Sequence, residues 1–153
     1  MAFGHLGHCF YLEDGVEKDT VLQGNLGLGT RRTKSSGIPS DKDPATFWVT
    51  HPTALVKDNT AAGSEGKGFW FLQARLPTGV AGRRQEEGTH FYYSEGELFR
   101  TPLRGISGNT VSLGRAMTTV AHRNSAPGAL LQIWILLRPS TTARPGSRRL
   151  WQV

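Results

Sequence analysis

The densest group of chemistry-bearing side chains is Glu13, Asp14, Glu17 and Asp19, with His8 a short step upstream. Two carboxylates flanking a glycosidic bond can share the acid and base or nucleophile roles of hydrolysis, which puts Glu13 and Asp14 forward as catalytic candidates. His8 could reach the same rim as a general base. The same oxygens could collect Ca²⁺, although Glu13-Asp14-Gly15 lacks the spacing of a helix-loop-helix calcium loop. The plain alternative is a solvated turn whose aspartate bonds its own backbone. Cys9 is the only cysteine. Neighbours on a strand face opposite sides, so His8 does not point with it, and an inert thiol is the favoured reading. Together with His5 and His8 it lacks a fourth zinc ligand. The glycine runs GNLGLG and GSEGKG spell no dinucleotide fingerprint.

Aromatic residues form the second group. Alternation along a strand sends Phe69 and Phe71 to one face and Trp70 to the other. Core packing is expected for the two phenylalanines. Trp48 and Trp70 divide evenly between packing and stacking on sugar rings, for which an aromatic face supplies apolar area beside polar edges.

These side chains must be positioned by short strands. Glycine makes up 19 of 153 residues, well above the ordinary share of about 7%, and each glycine inside a helix costs roughly 1 kcal/mol relative to alanine. Strand-forming runs recur at Cys9–Leu12, Thr20–Leu22, Asn25–Gly29, Thr46–Thr50, Leu55–Val56 and Gly68–Leu72. Residues 30–44 and 73–90 read as polar loops, and no window before position 115 keeps a helical apolar period. The body reads as all-β.

Charge is distributed unevenly. Residues 98–153 carry 8 arginines and no acid, within a chain of net charge +6. No aromatic side chains interleave with those arginines as a nucleic-acid stacking platform requires, so nucleic acid is not the expected partner. No apolar run approaches the ~20 residues of a membrane-spanning helix. The opening MAFGHLGHCF has neither a basic nor a long apolar region, so no signal peptide is visible.

An apolar-x-x-Asn pattern recurs at Leu22–Asn25, Val56–Asn59 and Ile106–Asn109. It suits a parallel β-solenoid in which Asn25, Asn59 and Asn109 stack at equivalent turns. A sandwich or barrel remains the alternative on the pattern alone.

A longer series of motifs sharpens this reading. GHCFYLEDGVE, VLQGNLG, FWVTHP and AAGSEGKGFWF occur in order, followed by Thr101-Pro102-Leu103 and SGNTV. They resemble the parallel β-helix region of the large extracellular family that includes hyaluronan-binding and hyaluronan-depolymerising proteins and the fibrocystins. The resemblance implies a right-handed parallel β-helix over 1–115, an extracellular or cell-surface location, and an acidic polysaccharide such as hyaluronan as partner. On that reading Trp48 and Trp70 would stack on sugars, and Arg83 or Arg84 would meet the polymer's carboxylates bidentately. No catalytic motif of the family maps onto this segment, so the chain by itself is expected to be inactive, its chemistry belonging to the remainder of a larger parent protein. A non-catalytic fibrocystin-like surface or adhesion module is the second expectation, and a truncated product without independent function the third. After Arg115 the pattern is lost. Residues 116–153, rich in Arg, Pro and Ser, are expected to be poorly ordered or short-helical and foreign to the ancestral fold.

Overall fold

The computed structural model describes residues 1–34, 38–103 and 105–112, and beyond them the backbone of three short strands. Brief runs of β-branched and aromatic residues punctuated by glycine and asparagine make brief strands. They are β1 (Ala2–Phe3), β2 (Phe10–Tyr11), β3 (Val21–Gln23), β4 (Leu26–Leu28), β5 (Ala45–Val49), β6 (Leu55–Lys57), β7 (Thr60–Ala62), β8 (Lys67–Phe71), β9 (Ile106–Ser107), β10 (Thr110–Ser112), β11 (Thr119–Val120), β12 (Arg138–Pro139) and β13 (Leu150–Gln152).

Three sheets gather them. β1, β4, β7 and β10 lie side by side in the first sheet, β2, β5, β8 and β11 in the second, and β3, β6 and β9 in the third. All of these pairings are parallel. Beyond β10 the first sheet continues with β13 and then β12, both antiparallel. Successive passes of the chain therefore lay equivalent residues over one another. Phe10 lies beside Phe47 and Phe47 beside Phe69, Leu22 beside Val56 and Val56 beside Ile106, Gly27 beside Ala61 and Ala61 beside Val111.

The core is made from these columns. The phenylalanine rings stack face to face at 4.6 Å for each neighbouring pair. Val49, Val56, Ala61, Phe71 and Val111 complete the buried centre. Gly27 marks a close approach between columns, because a Cβ there would stand 2.3 Å from the Thr46 methyl group.

One corner is built the same way in every pass. The third sheet leads into the first through two residues: Gly24-Asn25, Asp58-Asn59 and Gly108-Asn109. The first of each pair is left-handed, with φ of 65°, 54° and 67°, and the asparagine then turns inward. Asn59 Oδ1 accepts from the Asn25 backbone and side-chain N–H groups, both at 3.0 Å. Asn109 Oδ1 accepts from the same two groups of Asn59, both at 3.1 Å. Asn59 Nδ2 also donates to the Leu22 carbonyl and Asn109 Nδ2 to that of Val56, each at 2.7 Å. Asn59 and Asn109 are fully buried and Asn25 half-buried.

Two expectations need correction. The body is not purely strand, and residues 73–90 are not simply a loop. The long connection from β8 to β9 carries α1 (Gly79–Glu86) and α2 (Glu97–Arg100). The sequence of α1, GVAGRRQE, has no apolar stripe to announce it. Its stability comes instead from a cap supplied by a distant turn, described below. The loop 30–44 likewise contains a 3-10 turn at Pro39–Lys42. The expectation of a poorly ordered or short-helical tail falls mainly on residues outside those described. Within 116–153 the described segments are β11, β12 and β13.

Candidate functional site

The acidic turn after β2 separates its carboxylates into different tasks. Glu13 is exposed. The Asp14 carbonyl accepts from Thr78 N–H at 3.0 Å, and its Oδ2 accepts from Ala81 N–H at 3.1 Å. Thr78, the residue preceding α1, makes no side-chain cap of its own, so Asp14 caps the helix from another pass of the chain. Gly79 is the contact point: it is left-handed at φ +56°, and a Cβ there would stand 1.9 Å from Asp14 Oδ1. Asp14→Ala is expected to cost about 1 kcal/mol, the usual worth of such a cap, and to speed hydrogen exchange at Ala81. Unchanged exchange at Ala81 would refute the capping role.

Glu17 closes the same turn on itself. Its Oε1 accepts from Asp14 N–H at 2.8 Å, and Oε2 lies 3.2 Å from the Thr50 hydroxyl. Burial pushes this carboxyl up, but the N–H groups of Asp14 and of Glu17 itself, with the Thr50 hydroxyl, outweigh burial and hold it below the usual carboxylate range. Behind the turn sit two groups that sequence reading did not single out. Tyr93 is fully buried, and its hydroxyl would lie 3.0 Å from a Cβ at Gly15. Burial, with Glu17 and Glu97 nearby, pushes its phenol well above the ordinary value. His51 is buried, with Nδ1 taken by the Thr53 hydroxyl at 2.9 Å. Its Nε2, the Tyr93 hydroxyl and Asp14 Oδ1 have no hydrogen-bond partner among the described residues.

His8 is not part of that corner. Its side chain is 2% exposed. The Ala45 N–H donates to Nδ1 at 3.0 Å, and Nε2 stands 3.1 Å from the Ser40 hydroxyl. Its ring stacks on Tyr11 at 4.9 Å and leans on Trp48 at 4.4 Å. His8 thus belongs to an outward column of the second sheet formed by Tyr11, Trp48 and Trp70, with Trp48 and Trp70 separated by 4.9 Å. Trp48 is only 6% exposed, whereas Trp70 is half-buried. The Lys67 ammonium lies 3.5 Å from the Trp70 ring centre and pairs with Asp43. Arg83 and Arg84 are exposed on α1, a separate element.

Cys9 is half-buried, and burial pushes its thiol above the ordinary value. Among the described residues no group of three or more His, Cys, Asp or Glu side chains is arranged to hold a metal ion. No described helix is long and apolar enough to cross a membrane. An open cleft of about 470 Å³ against the third sheet is lined by Pro52, Thr53, Leu55, Thr101, Pro102 and Gly105 and carries no carboxylate.

The chain is similar to human cell surface hyaluronidase CEMIP2, at 36% identity over 104 residues, covering 52% of this chain and 7% of that protein. Mouse fibrocystin-L is 38% identical over 73 residues, covering 48% of this chain and 2% of the relative. Zebrafish cell surface hyaluronidase is 29% identical over 170 aligned positions, covering 95% of this chain and 11% of the relative. The chain therefore spans a small part of these proteins, about a tenth or less. No solved structure matches it. The model of one family, the CEMIP beta-helix, matches residues 1–116, and with that match the chain belongs to the CEMIP beta-helix family.

Proposed function

We propose that this chain is a segment of a right-handed parallel β-helix that binds an acidic polysaccharide such as hyaluronan at the cell surface or outside the cell, without cleaving it. The observation that carries the reading is the outward aromatic column ending in the half-open Trp70 ring, with the Lys67 ammonium against it. The open part of the Trp70 face suits a sugar ring, while the buried Lys67 ammonium, paired with Asp43, steadies that ring from the other side of the contact. Arg83 and Arg84, exposed on α1, supply guanidinium groups for the carboxylates of the polymer. Trp48 supports the Trp70 ring from beneath. The names of the relatives, two of them cell surface hyaluronidases, support the polymer and the location. Right-handed winding is supported by the parallel pairing of successive passes, since such crossovers are right-handed in about 98% of cases. A boundary at residue 115 is supported by the end of the family match at residue 116. The alignment with the zebrafish relative, which covers 95% of the chain, runs on into the tail and speaks against a separate origin for it.

The proposal of binding without hydrolysis rests on how the candidate acids and base are occupied. Asp14 caps α1, and His8 is held on both ring nitrogens. Glu13 is left as an exposed carboxylate, and hydrolysis needs a pair of them across the bond. The similarity to fibrocystin-L favours a second reading, a non-catalytic surface or adhesion module.

Electrophoresis of high-molecular-weight hyaluronan with the purified chain tests both, with and without Ca²⁺. Retarded migration at full polymer length, weakened by Trp70→Ala, is expected. Absence of retardation at every salt concentration would favour the fibrocystin-like reading. Shortening of the polymer that Glu13→Gln abolishes would overturn the non-catalytic one.

A further inference from the structure

The buried His8 ring holds together parts of the chain that are far apart in sequence. On one side its Nδ1 accepts the N–H of Ala45, the first residue of β5, 37 positions away. An imidazole nitrogen that accepts cannot carry a proton, so the ring is neutral with its hydrogen on Nε2. That hydrogen faces the Ser40 hydroxyl, in the Pro39–Lys42 turn. The same turn sets the Asp41 carboxylate over Gly7, where a Cβ would stand 2.6 Å from it. The turn, the start of β5 and the segment before β2 thus meet on one ring.

We propose that His8 is an acid-released latch, which fastens the Pro39–Lys42 turn and the first residue of β5 to the outward aromatic column at neutral pH and lets go when it is protonated. A proton on Nδ1 would face the Ala45 N–H, donor against donor, with the Ala45 N–H left unpaired in a buried position. The charged groups that face the ring pull in different directions. Asp41, at 3.7 Å from Nε2, and Asp43 beyond it favour the imidazolium, whereas Lys67 on β8 opposes it. The Tyr11 ring stacked on the other side carries no charge at neutral pH. Burial is the largest influence, and with Lys67 it holds His8 below its ordinary value.

The sign follows from that direction. The unfolded or unlatched chain takes up a proton at higher pH than the latched one, so the latch weakens as pH falls below the ordinary imidazole value. Weakening continues until the lowered value of the folded state is passed. At neutral pH and above, the latch is fully closed.

Hydrogen exchange and NMR titration of the whole chain test the proposal. Protection of the Ala45 amide, corrected for intrinsic exchange, is expected to fall roughly tenfold per pH unit between the ordinary imidazole value and the lowered one. In His8→Asn, whose side-chain oxygen can accept from Ala45 and does not titrate, that pH dependence should vanish. Should the variant fail to fold, the wild-type titration decides alone. His8 must titrate below its ordinary value, and the Ala45 amide shift must follow the same midpoint. Titration at or above the ordinary value, an Ala45 amide that ignores it, or equal pH dependence in His8→Asn would overturn the latch.

Discussion

Replacing Asn59 by alanine is expected to lower the unfolding free energy by about 3 kcal/mol or more. The amide is fully buried and serves four hydrogen bonds through its side chain, two accepted from Asn25 and two donated to Leu22 and Asn109. Alanine leaves the Leu22 carbonyl, Asn109 Oδ1 and the Asn25 N–H without those partners. An orphaned buried polar group costs about 1–3 kcal/mol, and water admitted to the truncated site recovers part of the sum. Asn59→Asp should be worse, since it sets a charge against the Leu22 carbonyl and Asn109 Oδ1 and removes both donors. Asn25→Ala, at the half-buried end of the column, should cost nearer 1 kcal/mol. Urea unfolding of the three variants measures the differences. Equal losses at Asn25 and Asn59 would contradict the accounting.

Phe47→Ala carries the other large effect, about 3–5 kcal/mol by the usual cost of emptying a buried phenylalanine site. Its ring is fully buried and sandwiched between Phe10 and Phe69. Truncation therefore removes two ring contacts and opens a gap in the middle of the column, where neither neighbour can close it without leaving its own strand. Phe47→Leu keeps most of the volume and should cost well under half as much. Against a total stability of order 5–15 kcal/mol for a domain, the alanine change takes a large share. A loss below ~1.5 kcal/mol would mean that the column collapses around the gap.

The residues that could be read from sequence are those whose partners repeat locally. Phe47-Trp48-Val49 and Phe69-Trp70-Phe71 announce strands because alternation divides them between two faces. The apolar-x-x-Asn spacing is readable because a single corner geometry, left-handed residue then asparagine, is imposed in each pass. Helix α1 was hidden for the opposite reason. Its cap is Asp14, 67 positions from the amide it serves. His8 is similar, since its ring is fixed by partners 32 and 37 positions away. Alternation places Trp48 on the face opposite Phe47, yet cannot say that His8 and its neighbours close over that face. Tyr93 carried no motif at all. Its burial against Gly15 depends on the path of the whole β8–β9 connection.

The two-residue corner has a counterpart on the opposite side of each pass. Between the second and third sheets the chain travels from Tyr11 to Val21, from Val49 to Leu55, and from Phe71 to Ile106, accommodating two helices on the last journey. The Asn corner never changes its length. The stacked columns keep their register through the short corner, so the long one is released from any duty to keep it. Length is thus a constant at the Asn corner and a variable at the other two, since the connections from the first sheet to the second, Phe3 to Phe10, Leu28 to Ala45 and Ala62 to Lys67, differ as well. Such an architecture separates inheritance of the fold from invention on its surface: new material can accumulate where the ladder does not count residues, while the ladder itself goes on counting two.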